Sequence, residues 1–525
     1  MDWPIHKTIF WLERALDKAR SSVDGHACRR LVVKVLGVAV VVVLGYKCVN
    51  ICYKLARKAP FPGPAVTSVI GMLFMSPEKQ VELLTSFADK FGKICSLKLF
   101  TETIVLVSDM ELYRDIAKRR PRVFSRLDFP NVSGDDALPF LEGDTWKKKR
   151  RIVARPLNDK NVESFLPMIC SVAKNLVEHV RCRGDCHGNI ARWEPEEDLR
   201  LCASKVAAAV CMGDADPLAS ESPFYQDDFL NNAVQLTTQE LEIGLHPIDV
   251  PILHNPLLRL FSPTLKKFWK DSRRLMTSLR DIMASRTGID KAGRFPSIVD
   301  NAGEDLSLHG SAIILKTFIA AGTETTAHFT AKLLKRLCLN PRAQERARDE
   351  VLKLEHDPES YEELRQLPFL HACILETLRL DLLGPVLPIT ALTNCVLADK
   401  PIAAGTGVFI MHKKILERSC DRGTEFRPVR WLTPDETDID QAMWSKFVAF
   451  GYGPRQCPGK HLAMKEMIVF AAYLLRYFDN IRLGEGCKIE DKYTTFLGMH
   501  QKDFYVAMDA GREAVMWGTD PRKPF

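Results

Sequence analysis

Residues 450 to 459 read Phe-Gly-Tyr-Gly-Pro-Arg-Gln-Cys-Pro-Gly and place Cys457 in a glycine- and proline-rich turn. Arg455 precedes it by two positions, and a helix follows with Ala463, Met467, Phe470, Ala471 and Leu474 along an apolar face. A metal-ligating thiolate needs such a setting. The N–H groups of a tight turn and the positive end of the next helix both favour an anion. Gly451, Gly453 and Gly459 let the backbone turn sharply and lie against a flat ligand where a Cβ would clash. Phe450 is placed to cover the sulfur, and the Arg455 guanidinium suits a ligand carboxylate. The plain alternative is a loop cysteine beside a turn.

Two further segments have chemistry-bearing types at helical spacing. Residues 311 to 340 read as one helix ended by Pro341, with Leu315, Phe318, Ile319 and Gly322 on an apolar face that becomes small at the glycine. Within it, Ala321 and Gly322 open space, and Glu324 and Thr325 set a carboxylate and a hydroxyl beside that space, groups able to pass protons through water. A core helix tolerating a polar patch is the other reading. Glu376 and Arg379, three apart on another helix, can pair on one face, and Phe426-Arg427-Pro428-Val429-Arg430-Trp431 lies between that helix and the cysteine turn. Trp146 and Arg150 are one helical turn apart within a basic run, Lys147 to Arg151. They are assigned inward and the remaining cations outward.

Taken in their order, these segments resemble the signatures of the cytochrome P-450 family, whose cysteine loop reads Phe-x-x-Gly-x-Arg-x-Cys-x-Gly. The resemblance covers roughly residues 60 to 508. It implies a mainly α fold with small β-sheets, the triangular cytochrome P-450 fold, with haem between the long oxygen-binding helix and the helix after the cysteine loop. It implies haem b with Cys457 as the iron ligand. Phe450, Gly451, Arg455, Gly459, Trp146, Arg150 and Ala321 would contact the cofactor, and Glu324 and Thr325 would deliver protons. Arg430 would join Glu376 and Arg379 in a buried triad. A thiolate ligand favours O–O cleavage. The implied reaction therefore inserts one oxygen atom from O2 into a lipophilic small molecule such as a fatty acid, sterol, terpenoid or xenobiotic. Electrons would come from a separate NADPH-cytochrome reductase, with cytochrome b5 as an optional second donor, because no flavin or nicotinamide motif is present. Lys147 to Lys149 are candidates for its docking face.

The chain departs from the family pattern at two places. Leu382 and Leu383 stand where a proline pair is usual, and Ile389 stands where the family has an arginine near a propionate. Phe318, Ala321, Val386, Leu387, Phe496 and Leu497 are expected to line an apolar pocket, by family position alone.

The elements around these motifs give one large domain. No Gly/Ser linker or internal repeat interrupts the chain of 525 residues after Pro60. Ile94–Leu99 and residues 103 to 107 read as two strands, and residues 496 to 506 as a hairpin. A net charge of +7, spread along the chain, argues against nucleic acid and suits an acidic partner or an anionic membrane. Fifteen scattered cysteines fit reduced thiols in a cytosol-facing protein. Cys182, Cys186 and His187 lack the fourth ligand a structural zinc needs.

Residues 1–30 read as an amphipathic, interface-seeking segment, 31–53 as a membrane anchor of about 20 residues, 54–66 as a basic and proline-rich hinge, and 67–525 as the catalytic domain. A buried core helix is the alternative for 31–53. Basic residues flank that span on both sides and leave its orientation open. The resemblance places the catalytic domain in the cytosol on an endoplasmic reticulum anchor. An isomerase or peroxide-using relative, a haem sensor and a membrane scaffold remain as alternatives. Glu324 and Thr325 speak against the first.

Overall fold

A computed structural model describes residues 58–72, 74–99, 102–126, 136–185, 187–220, 222–245, 262–285, 297–302, 306–488 and 504–511. Helices dominate them, and ten short strands form three small sheets. The strands are β1 (Ile94–Leu99), β2 (Glu102–Val107), β3 (Phe124–Arg126), β4 (Ile190–Trp193), β5 (Leu387–Ala391), β6 (Cys395–Leu397), β7 (Lys400–Ile402), β8 (Gly407–Ile410), β9 (Phe478–Leu483) and β10 (Val506–Ala510).

The largest sheet has the order β1-β2-β8-β5-β3. Its first pair is the predicted one, in antiparallel register with Ile94 opposite Val107, and β2 runs parallel to β8. At the other edge β3 pairs antiparallel with β5, which sets Arg126 opposite Ile389. The proline-rich segment docks on this sheet. Phe61 N donates to Ser96 Oγ at 3.2 Å, and Ser96 N donates to the Pro62 carbonyl at 3.0 Å. A Cβ on Gly63 would fall 1.7 Å from the Ser96 carbonyl oxygen, so only glycine fits that approach.

Most of the expected hairpin near the C-terminus, residues 496–503, lies outside the described residues; the described β10 pairs antiparallel with β4 and with β9. Phe496 and Leu497 lie outside the described residues, as do segments 1–30 and 31–53 and the hinge up to residue 57. Among the described residues, no helix is long and apolar enough to cross a membrane.

The long helix Leu308–Leu339 starts three residues before its predicted position, because the Ser307 hydroxyl caps Gly310 N at 3.1 Å. It is buried on most sides and is the axis of the core. The helix Pro195–Met212 packs along it, and small residues set the distance: a Cβ on Gly322 would lie 3.0 Å from that of Ala207. The helices Pro368–Leu380 and Lys460–Tyr477 complete the centre, both almost wholly buried. Their apolar side chains join one continuous core, and this rigid surround holds the polar groups described next.

Candidate active site

The cysteine turn is shaped by backbone. Gly451 and Gly453 have φ of 78° and 73°, in the left-handed region where other residues are strained. Gly459 does not need that freedom, with φ of −83°, and an added Cβ would make ordinary contact, 3.9 Å, with Cys457 Sγ. Cys457 N donates to the Phe450 carbonyl at 2.8 Å, which closes the turn. The Phe450 ring meets Phe447 edge-on at 6.0 Å, and Phe447 meets Trp431 at 5.3 Å. Trp431 Nε1 in turn donates to Glu376 Oε2 at 2.8 Å.

That contact connects the loop to the predicted triad, which is present. Arg379 donates to both Glu376 oxygens at 2.8 Å, Arg430 Nε donates to Oε1 at 3.0 Å, and the Arg427 N–H adds a bond at 2.9 Å. The Glu376 and Arg379 side chains have no accessible surface. Burial pulls the Glu376 pKa up, but the hydrogen bond and charge of Arg379, with the Arg427 N–H and Trp431, leave it below the ordinary carboxylate value.

Beside the cysteine turn lies a cavity of about 350 Å³. Arg455 and Pro458, which flank Cys457, form part of its wall, and Phe318 and Ala321 of the long helix form another. Ala321 is exposed although Ile319 and Thr323 nearby have no accessible surface, so its open face looks into this void. Cys457, between the wall residues Arg455 and Pro458, likewise has open surface although protein surrounds it closely. Burial raises its thiol pKa, against the Gly459 N–H, Arg150 and Lys460. The turn thus moderates the cost of a thiolate without making one unaided, and a bound cation would complete it.

Trp146 and Arg150 both face the cavity, as predicted. The Arg455 guanidinium lies 3.9 Å from the Trp146 ring centre and bonds to the Leu141 carbonyl at 2.8 Å and to Glu142. Arg150 donates to the Gln456 carbonyl at 2.6 Å. The outward assignment fails for Lys149, which is 6% exposed and donates to the Asp136 carbonyl at 2.6 Å. Lys147 and Lys148 do face outward.

The acid and threonine are less directly placed. Thr325 Oγ1 donates to the Ala321 carbonyl at 2.8 Å, and Glu324 pairs with Arg200 at 3.2 Å; neither is part of the cavity wall. Of the expected apolar lining, Phe318, Ala321 and Leu387 are in the wall, whereas Val386 is buried in a separate cluster beneath the large sheet. Val386 lies one residue from Leu387, and successive residues of an extended chain point to opposite faces.

Sequence reasoning missed Arg120, Arg126 and His412, all in the wall. Arg120 sits in a basic run with nothing to mark it, and Arg126 is recognisable only once β3 is paired with β5. Burial lowers the His412 pKa to about 4, against the hydrogen bond the ring donates to the Gly384 backbone carbonyl, so the ring is neutral near pH 7; its Nε2 has no hydrogen-bond partner. Another overlooked group is Glu466. Its carboxyl is driven well above the ordinary range by burial, with a bond to Thr326 opposing.

These residues fit a flat, dianionic macrocycle with a metal at its centre. The cavity wall carries Arg120, Arg126, Arg150 and Arg455 and, among the described residues, no Asp or Glu. It also has apolar surface and an adjacent thiol.

Residues 61–508 match the family model described as Cytochrome P450. The chain is 25% identical over 471 residues to Cytochrome P450 1A1 of Canis lupus familiaris, covering 82% of this chain and 86% of that protein. It is 26% identical over 380 residues to Probable cytochrome P450 CYP44 of Caenorhabditis elegans, covering 69% and 71%. It is also 25% identical over 428 residues to Protein LUTEIN DEFICIENT 5, chloroplastic, of Arabidopsis thaliana, covering 75% and 68%. This chain belongs to the cytochrome P450 family. It is an oxidoreductase, a haem-thiolate monooxygenase that acts with O2, a redox partner and a lipophilic substrate.

Proposed function

We propose that the chain inserts one oxygen atom from O2 into an apolar small molecule at a haem b ligated by Cys457. The observation that carries this reading is the cavity bounded by the flanks of Cys457 on one side and by Ala321 on the other. The bound haem would supply O2 activation, with electron donation from the sulfur favouring O–O cleavage.

The chain's own residues hold, shield and feed that centre. Gly451 and Gly459 keep side chains away from the ligand. Phe450 braces the loop through Phe447, and Trp146, Arg150 and Arg455 offer donors to the propionates. Glu324 and Thr325 manage protons: the threonine hydroxyl exchanges its bond to the Ala321 carbonyl for one to water, and Glu324 leaves Arg200 to relay protons. Ile314, Phe318, Val153 and Leu387 form the apolar wall that selects lipophilic substrates. The matched proteins bear names spanning mammal, nematode and chloroplast at nearly equal identity, so fatty acids, sterols, terpenoids and xenobiotics all stay in view.

The electron donor in this reading is NADPH-cytochrome reductase, with cytochrome b5 as a second donor, docking on a surface that includes Lys147 and Lys148. The chain divides into an amphipathic segment 1–30, a single-pass anchor 31–53, a hinge 54–66 and the catalytic domain 67–525, held at the endoplasmic reticulum with the catalytic domain in the cytosol. The apolar run at 31–53 supports this arrangement.

The deciding experiment is a carbon monoxide difference spectrum of the reduced protein, wild type against Cys457→Ser. A thiolate-type band present in the first and absent in the second is expected. An unchanged spectrum would falsify the ligand assignment. In the same preparation, Thr325→Ala should lower the product formed per NADPH consumed.

A further inference from the structure

A second cavity, of about 230 Å³, shares no wall residue with the first. Three segments enclose it: the short helix Tyr361–Arg365, the first turn of the helix Pro368–Leu380, and the chain from Asp438 to Trp444. Leu364, Leu367 and Ile439 are its buried apolar part, and Tyr361, Arg365, His371 and Asp438 bring polar groups to it. Trp444 of the same wall stacks on Phe447 at 5.4 Å, and Phe447 meets Phe450, so an aromatic row separates this pocket from the cysteine turn.

The polar groups are short of protein partners. Among the described residues, Arg365 makes no ion pair, and neither its guanidinium nor the Tyr361 hydroxyl nor the His371 ring makes a hydrogen bond. Asp438 Oδ1 accepts from the Ile439 N–H at 2.7 Å, which leaves Oδ2 without a donor. Burial lowers the His371 pKa to about 4, with Asp438 opposing and Lys465 adding, so the ring is neutral near pH 7 and offers one N–H and one lone pair. Arg365 and Asp438 thus stand in one wall without neutralising each other. A lone anion there would be repelled by Asp438 and a lone cation by Arg365, whereas an occupant with both charges suits both.

We propose that this pocket binds a free α-amino acid with an apolar side chain, its carboxylate on Arg365, its ammonium group on Asp438 and its side chain against Leu364, Leu367 and Ile439.

The size agrees with this class. Pockets for drug-sized ligands run to about 300–1,000 Å³, so a smaller one holds a metabolite. His371, being neutral, leaves the balance of charge undisturbed and can bond to either end of the ligand. Arg365 and Asp438 are both exposed, so solvent screens the two pairs and the affinity should be modest.

The test is a calorimetric titration of the full-length protein with L-alanine, L-valine, L-leucine, L-methionine and L-phenylalanine, and with acetate and ethylammonium as the two halves. At least one amino acid should bind saturably with a Kd on the order of 1 mM. Each half should bind at least about tenfold more weakly. Arg365→Gln and Asp438→Asn should each weaken the amino acid about tenfold, with unfolding in urea unchanged. Haem absorbance should not shift, since the ligand stays out of the first cavity. Absence of saturable binding by all five amino acids would overturn the proposal. So would acetate binding as tightly as the amino acid, which would make this an anion site. Undiminished binding in both variants, or a shift in haem absorbance on titration, would place the amino acid elsewhere and also overturn it. If Asp438→Asn fails to fold, Arg365→Gln carries the comparison alone, because that side chain has no protein partner to lose.

Discussion

The Glu376 cluster and the arginines around the cavity use the same two side-chain types, and each sets several guanidinium groups against one glutamate. They differ in what surrounds the guanidinium groups. In both, spare donors reach backbone carbonyls: Arg379 reaches Gly423 and Glu425, Arg430 reaches Asp421 and Arg422, and beside the cavity Arg126 reaches Pro139, Arg150 reaches Gln456 and Arg455 reaches Leu141. Arg120, Arg126, Arg150 and Arg455, however, also present surface to an internal void. Guanidinium groups closed in by protein mark a cluster that holds the fold, whereas guanidinium groups facing a void mark one that awaits a ligand.

The largest effect should come from breaking the first cluster. Glu376→Leu leaves Arg379 buried without its carboxylate, which should destabilise the chain by about 3–5 kcal/mol in urea unfolding. Trp431 and Phe447 should carry the damage to the cysteine turn, so protein fluorescence and haem absorbance should change together. Acid provides a milder version of this test. The folded pKa of Glu376 lies below its ordinary value of 4.5. Its stabilisation is therefore fully present above pH 4.5 and is lost as pH falls through the lower folded value. The stability of Glu376→Gln should be flatter than wild type below pH 4.5, and equal slopes would remove Glu376 from the acid limb.

The second cluster should break differently. Arg120 has only a long contact of 3.5 Å to Glu142, so Arg120→Leu should change unfolding monitored by fluorescence by no more than about 1 kcal/mol. Haem absorbance should nevertheless be lost at lower urea than the fluorescence midpoint, by a few tenths molar or more. Coincident transitions at the wild-type midpoint would put Arg120 outside ligand binding.

This difference also separates what was legible in the sequence from what was not. Glu376, Arg379, Arg430 and Cys457 could be found because a short local spacing or a fixed order along the chain places them. β1, β2 and the long helix could be found because their apolar residues repeat with the right period. Arg126 could not, since β3 has three residues and no period to read, and its meaning depends on a register with β5. Lys149 looked like its neighbours until the Asp136 carbonyl came within reach. Local chemistry is written in consecutive residues, while a wall assembled from a strand edge, a loop and helices is written only in their packing.

The smallest effect should come from an arginine beside the first cluster that takes part only through its backbone. Arg422 lends its carbonyl to Arg430, but its side chain pairs with Glu425 in the open, the two being 57% and 44% exposed. Such a pair contributes about 0–1 kcal/mol in water. Arg422 also sits at φ of 50°, where a side chain is strained and glycine is not. Arg422→Ala keeps the strain and loses the pair, so it should cost less than about 1 kcal/mol. Arg422→Gly loses the same pair but sheds the strain, and should match or exceed alanine in urea unfolding. If alanine instead cost as much as Glu376→Leu, the exposed pair would belong to the buried network, and the contrast between protein-enclosed and ligand-facing arginines would need redrawing around side-chain charge rather than enclosure.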